Sequence, residues 1–155
     1  MPIFDHRNLT ESQTIDCEVC IVGSGAGGGM LAEGLAQAGI DVVMLEAGEH
    51  RTQKDFNMDE GVAFERLYQN SGLRATDDLS ITILQGHCVG GTTTVNWTTC
   101  FRTPEAILKI WRDKYGLENL TTDELTPHFE AVEKRLSITE WPEEIANANN
   151  QIIFK

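Results

Sequence analysis

"CEVCIVGSGAGGGMLAEGLAQAGIDVVMLEAGE", running from Cys17 to Glu49, decides the fold. Glycine loses more conformational freedom on folding than any other residue, so a cluster of glycines between two short apolar runs needs a reason. Val19 to Val22 is one run, with Cys20 inside it, and Asp41 to Leu45 is the other. Both have the length and composition of strands. Their near-continuous apolarity is that of parallel strands covered on both faces. Between them Met30, Leu31, Gly34, Leu35 and Ala38 recur at helical spacing, and Gly39 stands where a glycine ends a helix. The reading is strand, tight glycine turn, helix, strand: one Rossmann-like βαβ unit over 17–46, with a parallel sheet and a right-handed crossover.

Gly23-Ser24-Gly25-Ala26-Gly27-Gly28 fits G-x-G-x-x-G at the point where strand hands over to helix. Gly23 makes the tight turn, Gly25 lets a pyrophosphate approach the backbone, and Gly28 lets helix and strand pack closely. The backbone amides around Ser24 and Ala26 are then aimed at the paired phosphates, at the positive end of the helix. Glu46 follows the second strand, 18 residues after Gly28. An acid there accepts hydrogen bonds from an adenosine ribose and argues against a 2′-phosphate. The motif points to a dinucleotide without choosing between FAD and NAD. The alternative is a glycine-rich turn that binds nothing.

Composition limits the rest. The 155 residues are 41% hydrophobic and 23% charged, in the range of a globular domain. Twelve Lys and Arg against 24 Asp and Glu give a net charge of −12, which excludes a basic stripe for nucleic acid and disfavours an anionic membrane. No apolar run is long enough to span a bilayer. The leader, residues 1–15, lacks the apolar core of a signal peptide. Cys17 and Cys20 form a C-x-x-C, but on a predicted strand residues three apart point to opposite faces. They are therefore read as core packing rather than a metal site, and no metal is expected. Cys88 and Cys100 read as incidental thiols of a reduced, cytoplasmic chain.

A second glycine cluster, Gly86-His87-Cys88-Val89-Gly90-Gly91-Thr92-Thr93-Thr94-Val95-Asn96-Trp97, follows the apolar run Ile81 to Leu84. Paired glycines followed by hydroxyl residues and Asn make a turn that exposes N–H donors to a flat or anionic ligand. The same residues could equally cap a helix, with Thr94 as N-cap.

Residues 19–49 together with "GHCVGGTTTVNWTTCFRTP" (Gly86 to Pro104) resemble the glucose-methanol-choline, or GMC, oxidoreductases, FAD-dependent alcohol oxidases and dehydrogenases. "WRDKYGLENLTTDELTPHFEAVEKRLSI" (Trp111 to Ile138) is similar to the helical segment that follows this motif in the family. The resemblance implies that Gly23, Gly25 and Gly28 contact the FAD diphosphate and Glu46 the adenosine ribose. It places Gly90, Gly91, Thr92 and Asn96 against the flavin half. Two positions depart from the usual pattern: His87, where a basic residue or Asn is common, and Cys100, where an aromatic residue or alanine is expected. Some members attach the flavin through a His just before the motif's Asn. Val95 stands there, which implies non-covalent FAD.

The implied reaction is oxidation of a small-molecule alcohol at its CH–OH group, with hydride passing to the flavin. In the family the base is a histidine far toward the C-terminus, a region the 155 residues do not include. None of His6, His50, His87 and His128 is nominated, so no catalytic residue is assigned, although His50 and His87 lie near enough to the motifs to touch a cofactor.

The remaining chain reads as helical over 104–137. Thr103 is the expected N-cap with Pro104 at the first helical position. Ile107, Ile110 and Trp111 share a face, and Gly116 is a stop. Thr121 and Glu124 have capping-box spacing, and Pro127 is expected to open the next helix, with Phe129, Val132 and Leu136 inward. Residues 57–78 read as polar and loop-rich. Residues 16–145 are thus read as a partial FAD-binding domain, with 146–155 a linker and the start of a further element. The expectation is an α/β N-terminal fragment of a larger two-domain flavoenzyme, inactive by itself, whose apolar faces await the missing C-terminal part. Two alternatives stay open: an NAD-dependent dehydrogenase, or a non-catalytic dinucleotide-binding module.

Overall fold

The computed structural model describes residues 3–5, 7–140 and 142–153. His6 of the leader and the Phe154-Lys155 end of the last apolar run lie outside the described residues. The chain divides into two compact units, Met1–Trp97 and Thr98–Lys155.

The first unit is built on β1 (Val19–Val22), α1 (Ala26–Gln37) and β2 (Val42–Leu45). The strands are parallel, with Val19 opposite Val42 and Val22 opposite Leu45. Gly23 N–H extends the ladder to Leu45 O at 2.7 Å, and the chain turns there at φ +92°, a conformation glycine adopts without penalty. α1 then folds back onto β1. A Cβ at Gly28 would lie 1.9 Å from the Gly23 carbonyl oxygen and 3.3 Å from Ile21 Cγ2. Hydrogen is the one side chain that lets helix and strand meet. Ala38 and Gly39 close the helix, and Ile40 N–H bonds back to Leu35 O at 3.1 Å.

Burial departs from the expectation for this unit. Ile21 is buried, but Val22 is 83% and Leu45 54% exposed, and Met30 and Leu31 of the expected inward stripe are exposed. Cys20, read as core, is exposed, and Cys17 is half-buried. The reason is geometric: two strands about 5 Å apart cover one narrow stripe of a helix about 10 Å across.

Beyond β2 come a 3₁₀ turn (Gln53–Asp55), α2 (Glu60–Leu67) and a second 3₁₀ turn (Gln69–Gly72). Asp59 caps α2 by accepting from Val62 N–H. Phe64 of α2 stacks on Tyr68 with ring centroids 4.8 Å apart. The run Ile81 to Leu84 forms no strand. It pairs back on 74–76 through an isolated antiparallel bridge, Ala75 to Thr82, around a turn in which Asp78 accepts from Thr76 Oγ1, Ser80 N–H and Ser80 Oγ. The hydroxyl of Thr76 first, then both Ser80 donors, hold the Asp78 carboxyl down at about 2.

A short α3 (Thr92–Val95) ends the first unit, and the second contains α4 (Glu105–Tyr115), α5 (Thr122–Leu136), a 3₁₀ turn (Glu143–Ile145) and α6 (Ala148–Ile153). Three expectations are corrected here. The N-cap of α4 is Pro104 in extended conformation, not Thr103, and the helix starts at Glu105. Leu108, not the Ile107 face, is the fully buried residue of α4, with Ile107, Ile110 and Trp111 exposed. Pro127 lies inside α5 rather than at its start, because the Thr121–Glu124 capping box begins the helix earlier, at Thr122. Pro127 forgoes only the amide that would have reached Asp123 O. Gly116 ends α4 and Ser137 ends α5, both left-handed. The Ala146–Asn150 stretch, read as linker, carries the start of α6, where Asn147 Oδ1 accepts Asn150 N–H at 3.0 Å in the manner of a cap.

Candidate functional site

Three segments of the first unit converge: the glycine turn into α1, the residues after β2, and the second glycine cluster. Glu46 is their meeting point. Its Oε2 accepts from Ser24 N–H at 2.8 Å and Ser24 Oγ at 2.6 Å, and its Oε1 accepts from Gly48 N–H at 2.8 Å. Burial works to raise the Glu46 carboxyl. The bond from Ser24 Oγ and the amides of Gly48, Ser24 and Ala47 outweigh it and hold the group below its ordinary value. The carboxylate therefore points into the glycine turn rather than away from it. The Ser24 amide, expected to face phosphate, is engaged by this carboxylate, so the amides left for an anion are those further into α1.

Those amides are free to act. No side chain caps the N-terminus of α1 at Gly25, and a Cβ at Gly25 or Gly27 would meet no atom within 4 Å. An open approach over uncapped N–H groups at the positive end of a 12-residue helix fits a diphosphate.

The second cluster runs beside the residues that follow β2. Cys88 bridges Glu49 in parallel, and Val89 N–H donates to Glu49 O at 3.1 Å. A Cβ on Gly48 would fall 2.3 Å from Cys88 N, so the two backbones are in direct contact. From the other side His87 N–H donates to Leu67 O at 2.7 Å, and Tyr68 Oη donates to Val95 O at 3.3 Å. The Gly90-Gly91 turn then crosses to the first motif. Gly90 N–H donates to Ser24 Oγ at 2.9 Å, and Gly91, at φ +55°, lies so near that a Cβ on it would be 3.1 Å from Gly25 Cα.

α3 (Thr92–Val95) follows, with Gly91 at its N-cap. Thr94 is therefore inside the turn, not its cap. Its hydroxyl donates to Val89 O at 2.9 Å and is spent inside the cluster. Thr92 Oγ1 accepts Gly86 N–H at 3.1 Å, and Asn96 ends α3, exposed.

The structure thus brings Ser24, Gly25, Glu46, Gly90 and Gly91 together, uses Gly23 and Gly28 to shape the turn, and leaves Ala26 exposed at the first position of α1. Thr92 and Asn96 follow the Gly90-Gly91 turn, at the start and the C-terminal end of α3. Gly48 and Cys88 were missed. Gly48 had a signal in the sequence, a glycine just after the acid. Cys88 is 1% exposed, and burial first of all pushes its thiol up, against a bond to Thr94. His50, His87 and His128 are exposed. Among the described residues no group of three His, Cys, Asp or Glu is placed to hold a metal, and no helix is long and apolar enough to cross a membrane.

Residues 64–155 match the family described as GMC oxidoreductase, and residues 16–55 the family described as FAD binding domain. The chain is 38% identical over 141 residues to long-chain-alcohol oxidase FAO3 of Arabidopsis thaliana, covering 91% of this chain and 19% of that protein. It is 37% identical over 140 residues to an uncharacterized GMC-type oxidoreductase of Mycobacterium tuberculosis, covering 89% of this chain and 22% of that one. The crystal structure of pyridoxine 4-oxidase from Mesorbium loti superposes with a TM-score of 0.55 at 26% identity, over 75% of this chain and 24% of that one. The chain spans about one fifth of the length of the curated relatives it matches.

Proposed function

From the premise that this chain belongs to the GMC oxidoreductase family and that its cofactor is FAD, we propose that it forms the FAD-binding part of an enzyme that oxidises the CH–OH group of an alcohol. The observation that carries this reading is the convergence of both glycine motifs on Ser24, Glu46 and Gly25. When bound, the flavin supplies the hydride acceptor. This chain's own residues do the holding. The amides at the start of α1 take the diphosphate, with Gly23 and Gly28 shaping the turn and Gly25 and Ala26 lining it. Glu46 keeps lone pairs for the ribose hydroxyls while anchored by Ser24 and Gly48. Gly90 and Gly91 bring a backbone with no side chains beside Gly25, with Thr92 and Asn96 next to it, where the flavin half belongs. Val95, which cannot form a flavin link, fits non-covalent FAD.

The base that takes the hydroxyl proton is assigned outside these 155 residues. His50, His87 and His128 are exposed, and none is nominated. Long-chain primary alcohols are the first substrates to assay, since relatives at 38% identity carry that name. The test is anaerobic: the full natural protein is purified and its flavin bands are followed as a long-chain alcohol is added. The bands should be present and bleach with the alcohol. A protein that carries no flavin and instead binds NAD would overturn the reading.

A further inference from the structure

Ser24 is 8% exposed, and a serine hydroxyl offers one proton and two lone pairs. Here the proton goes to Glu46 Oε2 at 2.6 Å and one lone pair takes Gly90 N–H at 2.9 Å. The one oxygen atom of Ser24 therefore joins the carboxylate after β2 to a turn 66 residues beyond Ser24 in the chain. Two further bonds at that turn are local, Gly91 N–H to Cys88 O at 2.8 Å and Thr94 Oγ1 to Val89 O at 2.9 Å, and Val89 N–H to Glu49 O at 3.1 Å ties the residue before it to the segment after β2. These shape the Gly90-Gly91 turn and moor its entry, but none of them reaches the glycine turn into α1. The Ser24 bond does, at the place where Gly91 packs against Gly25.

We propose that the Ser24 hydroxyl is a positioning residue that fixes the second glycine motif on the first, so that the flavin-side backbone is placed by the residue that also anchors the ribose-side carboxylate. The inference rests on the reading that both motifs bind FAD. Glu46 does not depend on this hydroxyl alone, because the Ser24 and Gly48 amides hold it independently. Gly90 N–H has no such reserve. Removing the hydroxyl strands that amide and frees the turn to shift, while the diphosphate turn and the carboxylate keep their geometry.

A ligand that touches only the first motif separates the two effects. ADP needs the α1 amides and Glu46, whereas FAD also needs the Gly90-Gly91 turn. In the full natural protein, Ser24→Ala should weaken FAD about tenfold, the scale of one stranded amide, and weaken ADP by a clearly smaller factor, since the Ser24 and Gly48 amides still hold Glu46. Ser24→Gly, which adds no atom, reads the same ratio should the alanine variant not fold. Ser24→Thr, which keeps the hydroxyl, should restore FAD binding. FAD and ADP weakened in parallel, no weakening of either, or a threonine variant no better than alanine would each overturn the proposal. An unsubstituted protein that binds ADP but not FAD would instead sink the reading of the site itself.

Discussion

Glu46 shows how one carboxylate can be held by the turn beside it. Three donors fix it, two from Ser24 and one from Gly48. Burial opposes its charge, yet these bonds leave the carboxyl below its ordinary value of 4.5. A group whose folded value is depressed stabilises the protein fully above its unfolded value, and that contribution is lost as the pH falls through the lower folded value. Glu46→Gln should therefore cost about 1–2 kcal/mol at neutral pH, the scale of a charge-assisted hydrogen bond. The gap to the unsubstituted protein should close in acid. Thermal melts from neutral pH down to about pH 3 read this directly, and a gap of constant size would contradict it. The identity of this acid was legible in the sequence, from its position after a strand and its spacing from Gly28. The partners were not. The motif points the Ser24 amide at phosphate, whereas both its amide and its hydroxyl serve Glu46, because an open carboxylate one residue beyond a strand takes whichever donors the neighbouring turn offers.

At the level of elements, the β1–α1 junction depends on what Gly28 lacks. A methyl there would overlap the Gly23 carbonyl at 1.9 Å, and backbone on both sides cannot yield without lifting the helix. Gly28→Ala should lower stability by about 3 kcal/mol. Gly27→Ala, one residue earlier and with no atom within 4 Å of its Cβ, should be neutral or stabilising by up to about 1 kcal/mol through helix propensity. Urea denaturation of the two variants without FAD measures the contrast, and equal losses would refute the packing role. Strand and helix boundaries of this unit were legible because apolar runs and glycines mark them. The starts of α4 and α5 were harder. Pro104 and Pro127 both carry the proline signal for a first helical position, yet one is the N-cap and the other interior. A capping box outranks a proline when the two compete. The burial of Leu108 in place of the Ile107 face was not legible, since neighbouring apolar positions on one helix are distinguished only by what packs against them.

At the scale of the whole chain, two glycine motifs separated by two helices, a strand, two 3₁₀ turns and an isolated bridge come together. The sequence carried each motif and the family resemblance carried their order. Their contact could not be read, because a bond spanning 66 residues leaves no periodic trace. The apolar surface left exposed at Val22, Leu45, Met30 and Leu31 was likewise hidden in a pattern that reads as fully covered strands. The central claim is that both motifs grip one FAD molecule, and hydrogen exchange of the full natural protein with and without FAD tests it most directly. The account predicts that FAD slows exchange at the amides of Gly25 to Gly28 and of Gly90 to Thr92 together, and slows them to a similar degree. Protection confined to the first loop, with the Gly90-Gly91 turn unchanged, would contradict it.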